Sequence, residues 1–153
     1  MTHSTEVDLE DFLVKWVKSI LPWEVAKDPL QNIFNGIIHN VLPAGILIIM
    51  TDQQFKYRVV FFHQPGCAAC NAMKPVWAET ANVIAEEYPH YSVGFGEWDV
   101  TSDNWAFCDQ IECDGTPNFA VFDSDAQLLG LNIDGILAQS QLKDFIIGAI
   151  EKA

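Results

Sequence analysis

Apolar residues along the first 43 positions recur at steps of three and four. Leu9, Phe12, Leu13, Trp16, Val17 and Ile20 form one stripe, which predicts a helix with Thr5 and Asp8 as a capping box and Pro22 as its stop. Leu30, Ile33, Phe34, Ile37, Ile38, Val41 and Leu42 repeat the stripe up to Pro43, with Asp28 as N-cap and Pro29 at the first helical position. Such stripes are first of all packing faces; a dedicated groove for a partner is the alternative. From residue 44 the period changes. Residues 46–50 and 58–63 are short apolar runs suited to strands covered on both faces. Pro65-Gly66 breaks the chain, and residues 67–87 read as a helix. A strand over 91–100, a short helix over 104–111 and a strand over 118–122 follow. Asp123 to Ala126 make a turn into a strand over 127–133, and residues 139–152 close as an amphipathic helix with Leu142, Phe145, Ile146, Ala149 and Ile150 inward. Strands alternating with helices, then a hairpin and a helix, predict an α/β domain with a mixed central sheet over residues 44–153, preceded by a helical extension over 1–43.

Composition narrows the partners. The chain has 153 residues, half of them apolar, enough for a core without staples. Acidic residues outnumber basic ones 21 to 8, for a net charge of −13. Nucleic-acid affinity rests on clustered Lys and Arg, so that balance speaks against it, and it disfavours anionic lipid. Residues 29–51 carry no charge, yet Gln31, Asn32, Asn35, His39, Asn40 and Pro43 interrupt them and argue for a buried amphipathic helix over a bilayer span. Met1 to Asp8 show no basic or apolar leader segment, which sets a reducing cytosol as the expected compartment, in the protein's own cell or in an infected host's.

The chemistry concentrates at Pro65-Gly66-Cys67-Ala68-Ala69-Cys70, after an apolar strand and at the opening of a helix. Residues three apart on a helix lie about 5–6 Å apart, within reach of a disulfide. The first cysteine falls at the helix N-terminus, where free N–H groups and the macrodipole favour the thiolate. The second lies one turn inward, suited to resolving a mixed disulfide. An inert thiol pair and half of a zinc site are the alternatives.

The residues around this motif resemble the thioredoxin family. Residues 61–75 look like its strand, active-site loop and helix, with Pro75 at the place of the proline within that helix. Gly115-Thr116-Pro117 is similar to the loop before the family's cis-proline strand. Residues 135–145 resemble the entry to its last helix, and residues 48–55 its first strand and helix start. The resemblance covers about residues 45–153 and leaves the first 43 without a counterpart in a minimal thioredoxin. It implies a thioredoxin-like fold and a protein-disulfide oxidoreductase with Cys67 as nucleophile and Cys70 as resolving thiol. It also implies protein disulfides as substrates and a thioredoxin-reductase-like enzyme or another thiol as electron source. No cofactor or metal is expected beyond the Cys67–Cys70 disulfide itself.

Departures from the family pattern concern proton handling. Gly66 stands where a tryptophan is usual, and Ala68-Ala69 replace Gly-Pro. Phe61 stands where the family has a buried aspartate that relays a proton to the second cysteine. Glu97 aligns with the lysine that commonly pairs with that aspartate, so it is either a substitute relay or an ordinary strand-end acid. His63 replaces a tryptophan beneath the site and is either an imidazolium that favours the Cys67 thiolate or a merely packed ring. Threonine before the proline is similar to bacterial disulfide-isomerase-like members. The resemblance implies that Thr116 and Pro117 seat an extended substrate strand through main-chain hydrogen bonds.

Cys108 and Cys113 make a second pair. In an unbroken helix residues five apart are too distant for a disulfide, so reduced, buried thiols are expected; a regulatory disulfide is the alternative, if the helix ends near residues 109–112. Two further functions remain open beside the oxidoreductase. One is an interaction module that binds a protein through its N-terminal helices or acidic surface. The other is metal binding by the four cysteines, which their irregular spacing disfavours.

Overall fold

The computed structural model describes residues 8, 11, 12, 15, 16, 55–132 and 135–153. Strand β1 spans Tyr57–His63, helix α1 Ala68–Glu87, strand β2 Val93–Asp99, helix α2 Ala106–Gln110, strand β3 Asn118–Asp123, strand β4 Leu128–Asn132 and helix α3 Gln139–Glu151. The four strands lie in the order β2-β1-β3-β4, with β1 parallel to β2 and antiparallel to β3, and β3 antiparallel to β4. The sheet is mixed, as the alternation of strands and helices predicts.

Side chains of alternate residues on β1 and β3 build two separate cores. Val59, Phe61, Phe119 and Val121 face α1 and α3, joined by Phe95 of β2. Val60, Phe62, Ala120 and Phe122 face the other way, toward Phe12, Trp16, Phe107, Cys108 and Cys113. Both faces being covered explains why the strands read as continuous apolar runs.

Two residues of the first stripe, Phe12 and Trp16, thus meet the sheet. Residues 11, 12, 15 and 16 are helical, and Phe12 and Trp16 are each 1% exposed. Asp8 itself caps this helix: its Oδ1 accepts from the Asp11 N–H at 2.7 Å, and its carbonyl from the Phe12 N–H at 2.8 Å. Phe12 packs on Phe122 and edge-on to Phe107. Lys15 pairs with Asp11 and Asp103 and lies over the rings of Phe107 and Trp98, at 5.1 and 5.9 Å from their centroids. Gly94 of β2 marks the close approach, since a Cβ there would lie 2.6 Å from Trp16 Cζ2 and 2.7 Å from Phe55 Cγ. The rest of that stripe, Thr5 as a cap, the helix over 29–42, the strand over 46–50, the boundary at 43/44 and the uncharged stretch 29–51 lie outside the described residues. Among the described residues no helix is long and apolar enough to cross a membrane.

Element boundaries shift where the backbone turns left-handed. Residues 91–100 do not form one strand: Pro89–Tyr91 make a 3-10 turn closed by Ser92 at φ 53°, and β2 starts at Val93. The helix expected over 104–111 starts at Ala106, because Asn104 and Trp105 take φ of 56° and 67°. Val100–Asp103 form a 3-10 turn before it.

The end of α2 overturns the expectation of reduced Cys108 and Cys113. The Cys113 N–H bonds to the Cys108 carbonyl at 2.9 Å and the Glu112 N–H to the Asp109 carbonyl at 3.1 Å. Glu112 between them has φ 63°. These bonds define a Schellman motif, in which the third helical residue from the end meets the second residue beyond it. The two Cα atoms come within 4.8 Å, and the thiols form a disulfide. The spacing rule for an unbroken helix fails here because the helix stops between them. Glu112 occupies a position that favours glycine, so Glu112→Gly is expected to raise stability by about 1 kcal/mol. A urea midpoint that falls in the variant would sink that assignment.

Candidate active site

Gln64, Pro65, Gly66 and Cys67 turn the chain from β1 into α1. Gly66 has φ 76°, where a residue with a Cβ is strained by roughly 1–2 kcal/mol. That conformation accounts for a glycine where tryptophan is usual in the family. Cys67 is the N-cap of α1: its backbone is extended, and its Sγ accepts from the Cys70 N–H at 3.1 Å. The sulfur therefore sits among the unpaired N–H groups of the first helical turn, where negative charge is favoured. Cys67 is half-buried, whereas Cys70 is 1% exposed. Their sulfurs form a disulfide across a Cα separation of 5.2 Å. Pro65, Gly66 and Ala68 are exposed beside it and Ala69 is half-buried. The side chains of the two alanines put no polar group near either sulfur.

The loop before β3 faces Cys67. The Thr116–Pro117 peptide is cis. Cys67 Sγ lies 3.8 Å from the Thr116 carbonyl oxygen and 3.7 Å from its Oγ1. Gln64 Nε2 donates to the same Oγ1 at 2.8 Å and ties the two loops together. Sequence reasoning passed over Gln64, because a polar residue in a turn belongs to no periodic pattern.

Beneath the disulfide the sheet is aromatic. Phe61 stacks on Phe119 with centroids 5.0 Å apart and meets Trp77 at 5.6 Å. No acid replaces the family's aspartate at that point. The parallel register sets Glu97 opposite Phe61 and Asp99 opposite His63, so these four residues share the face that carries Cys70. Glu97 and His63 are half-buried, and the His63 ring lies 5.5 Å from that of Phe61. Thr101 bonds Asp99 Oδ1 through its hydroxyl at 2.6 Å and its N–H at 2.9 Å, which holds the Asp99 carboxyl below its usual range.

Burial pushes the His63 pKa below 6.5, and the carboxylates of Glu97 and Asp99 offset this only in part. The ring is neutral at pH 7, so of the two readings of His63 the packed imidazole holds and the imidazolium beside Cys67 does not. On acidification the unfolded chain takes up this proton first. His63 therefore costs nothing above about pH 6.5 and destabilises the fold as pH falls from there to the lower folded value. His63→Gln is expected to flatten the stability curve in that window, read from urea midpoints at about pH 7.5 and about pH 5.5. An unchanged slope would show a ring that stays in water.

Among the described residues no three His, Cys, Asp or Glu side chains gather as a metal site, and the cysteines form two disulfides on opposite faces of the sheet. Fold and site together define a thioredoxin-like protein with a closed CxxC pair at a helix start. The thioredoxin-like domain family model matches residues 47–148, and the chain belongs to that family. No curated protein matches the chain. Among solved structures, a mutant thioredoxin from Halobacterium salinarum aligns at 19% identity and TM-score 0.51, over 65% of this chain and 82% of its own. Human ERp44 in a zinc-bound form aligns at 19% and 0.54, over 65% of this chain and 27% of its own. The first two thioredoxin domains of Eps1p from Saccharomyces cerevisiae align at 16% and 0.52, over 64% and 36%. At these identities the likeness is one of fold.

Proposed function

We propose that the protein is a thiol-disulfide oxidoreductase acting on protein disulfides. The observation that carries this reading is Cys67 as N-cap of α1, its sulfur at 3.1 Å from the Cys70 N–H, bonded to the buried Cys70 and facing Thr116. In the reduced protein the Cys67 thiolate attacks one sulfur of a substrate disulfide. The substrate's other sulfur leaves as a thiolate and takes a proton. The Cys70 thiol loses its proton, attacks Cys67 and releases the second substrate thiol. Two electrons pass to the substrate, and the Cys67–Cys70 disulfide is left for a thioredoxin-reductase-like enzyme or another dithiol to reduce. The disulfide is the only redox group this cycle uses. Thr116 and Pro117 seat the substrate strand beside Cys67, with Gln64 holding Thr116.

The Cys70 proton needs an acceptor, and Phe61 offers none. His63, neutral at pH 7, and Glu97 are the groups on that face of the sheet that take this role. The test is insulin reduction with dithiothreitol as electron source. The wild-type chain is expected to accelerate it, Cys67→Ser to lose the acceleration, and Glu97→Gln to slow it by about 10²-fold, the low end for general acid–base catalysis. A wild-type chain no faster than dithiothreitol alone overturns the reading and favours an interaction module.

The helix position also sets which thiol reacts first. Limiting iodoacetamide on the reduced protein is expected to alkylate Cys67 before Cys70, seen by peptide mapping. Preferential labelling of Cys70 would reverse the assigned roles.

A further inference from the structure

The segment from Cys113 to Asn118 joins the two disulfides around the end of the sheet. On one side, Cys113 Sγ lies 3.4 Å from the Gly115 carbonyl oxygen. Asn118 Nδ2 donates to that carbonyl at 2.7 Å and sits 3.1 Å from Cys113 Sγ. On the other side, the next residue, Thr116, places its carbonyl and hydroxyl within 3.8 Å of Cys67 Sγ. One sulfur of each disulfide thus touches adjacent residues of the same loop. Asn118 is 2% exposed, and its Oδ1 is buried without a hydrogen-bond partner. The donation from Nδ2 to the Gly115 carbonyl settles which way the amide points.

In the oxidised state neither sulfur of the pair carries a proton to donate. Reduction turns both sulfurs into thiols, and each gains a donor. The Cys113 thiol then faces the Gly115 carbonyl, 3.4 Å from its sulfur, and the Cys108 thiol faces the Cys113 carbonyl, 2.9 Å from its sulfur. The change gives each sulfur a carbonyl to donate to and frees the end of α2, a helix of five residues that is too short to persist unaided. The loop between α2 and β3 loses its covalent anchor.

We propose that Cys108–Cys113 is a second redox-active disulfide, reduced by a protein or small-molecule dithiol, and that its state controls how firmly the Thr116–Pro117 loop is held for substrate beside Cys67. The docking half of this inference rests on the oxidoreductase reading; the redox half does not. Cys113 is 3% and Cys108 0% exposed, so the loop opens before the reductant's thiolate attacks Cys113, and the Cys108 sulfur leaves as a thiolate. The reductant's second thiol then displaces Cys113 from the mixed disulfide. The reductant ends as a disulfide, and Cys108 and Cys113 each hold one proton.

The experiment uses the full chain carrying Cys67→Ser and Cys70→Ser, so that the second pair alone titrates. It is equilibrated in dithiothreitol buffers, trapped with N-ethylmaleimide and weighed by mass spectrometry. The expected result is a reversible two-electron transition in a protein that remains folded by circular dichroism. Amide exchange over residues 113–118 is expected to speed up several-fold in the reduced form. A pair that resists reduction until the chain unfolds, or exchange that is the same in both states, overturns the proposal. In a chain with Cys67 and Cys70 intact, Cys108→Ala with Cys113→Ala is expected to raise KM for insulin several-fold with kcat nearly unchanged. An unchanged KM overturns the docking half, and equal loss of kcat and stability assigns the bond to structure alone. If the wild-type chain shows no reductase activity, the function reading fails, while the titration and the exchange measurement still decide the redox half.

Discussion

Cys70→Ser is expected to convert the protein from a turnover catalyst into a covalent trap. The Cys67 thiolate still attacks, because its place at the start of α1 depends on the backbone N–H groups there and not on the Cys70 side chain. A serine hydroxyl cannot displace a sulfur at neutral pH, so the mixed disulfide between Cys67 and the substrate persists. Insulin reduction should fall by several orders of magnitude, the scale on which loss of one covalent participant disables a catalytic unit. The adduct should be visible on a non-reducing gel and vanish with dithiothreitol. Absence of adduct, with Cys67 shown to be free and folded, would refute nucleophilic attack by Cys67. Turnover close to wild type would refute a resolving role for Cys70.

Trp16→Ala carries the largest expected loss of stability. The ring is 1% exposed, meets Phe55 edge-on at 5.9 Å and presses on the backbone of β2 at Gly94. Removing a buried tryptophan takes away its transfer free energy and leaves a cavity, together about 3–5 kcal/mol. That is a large part of the roughly 5–15 kcal/mol that holds an ordinary domain together. Urea denaturation followed by circular dichroism should show a lower midpoint at an unchanged slope, or a chain already partly unfolded in buffer. A loss under about 1 kcal/mol, typical of a surface position, would mean that this helix is a tether and not part of the core. Residues 47–148 carry the family match, but this packing makes Phe12 and Trp16 part of the core on one face of the sheet.

Local chemistry was legible wherever neighbours in sequence act on one another. The run from Phe61 to Pro75 reads as strand, turn and helix because its β-formers, its Pro-Gly break and its helical spacing all agree. The cap position of Cys67 and the reach of Cys70 follow from the same helical geometry. Gln64, His63 and the second disulfide were less legible, because each depends on groups brought near by folding. His63 reads either as a charge or as a packed ring, and only its burial on the sheet decides for the neutral ring. Cys108 and Cys113 read as separated thiols because helical spacing takes the helix as continuous, and only the left-handed Glu112 brings them together.

What the amino-acid order settled by itself is the set of elements, the α/β class and the dithiol at a helix start, all products of periodicity and short-range sterics. What tertiary structure alone decided is which faces meet. The stripe with Phe12 and Trp16 could in principle have covered a second copy, a membrane or this sheet, since apolar burial has no direction. Close packing chose the sheet, where Gly94 leaves room for the Trp16 ring and a side chain would not. The same packing set Thr116 against Cys67 and Asn118 against Cys113, contacts across the fold that no local pattern in the chain encodes.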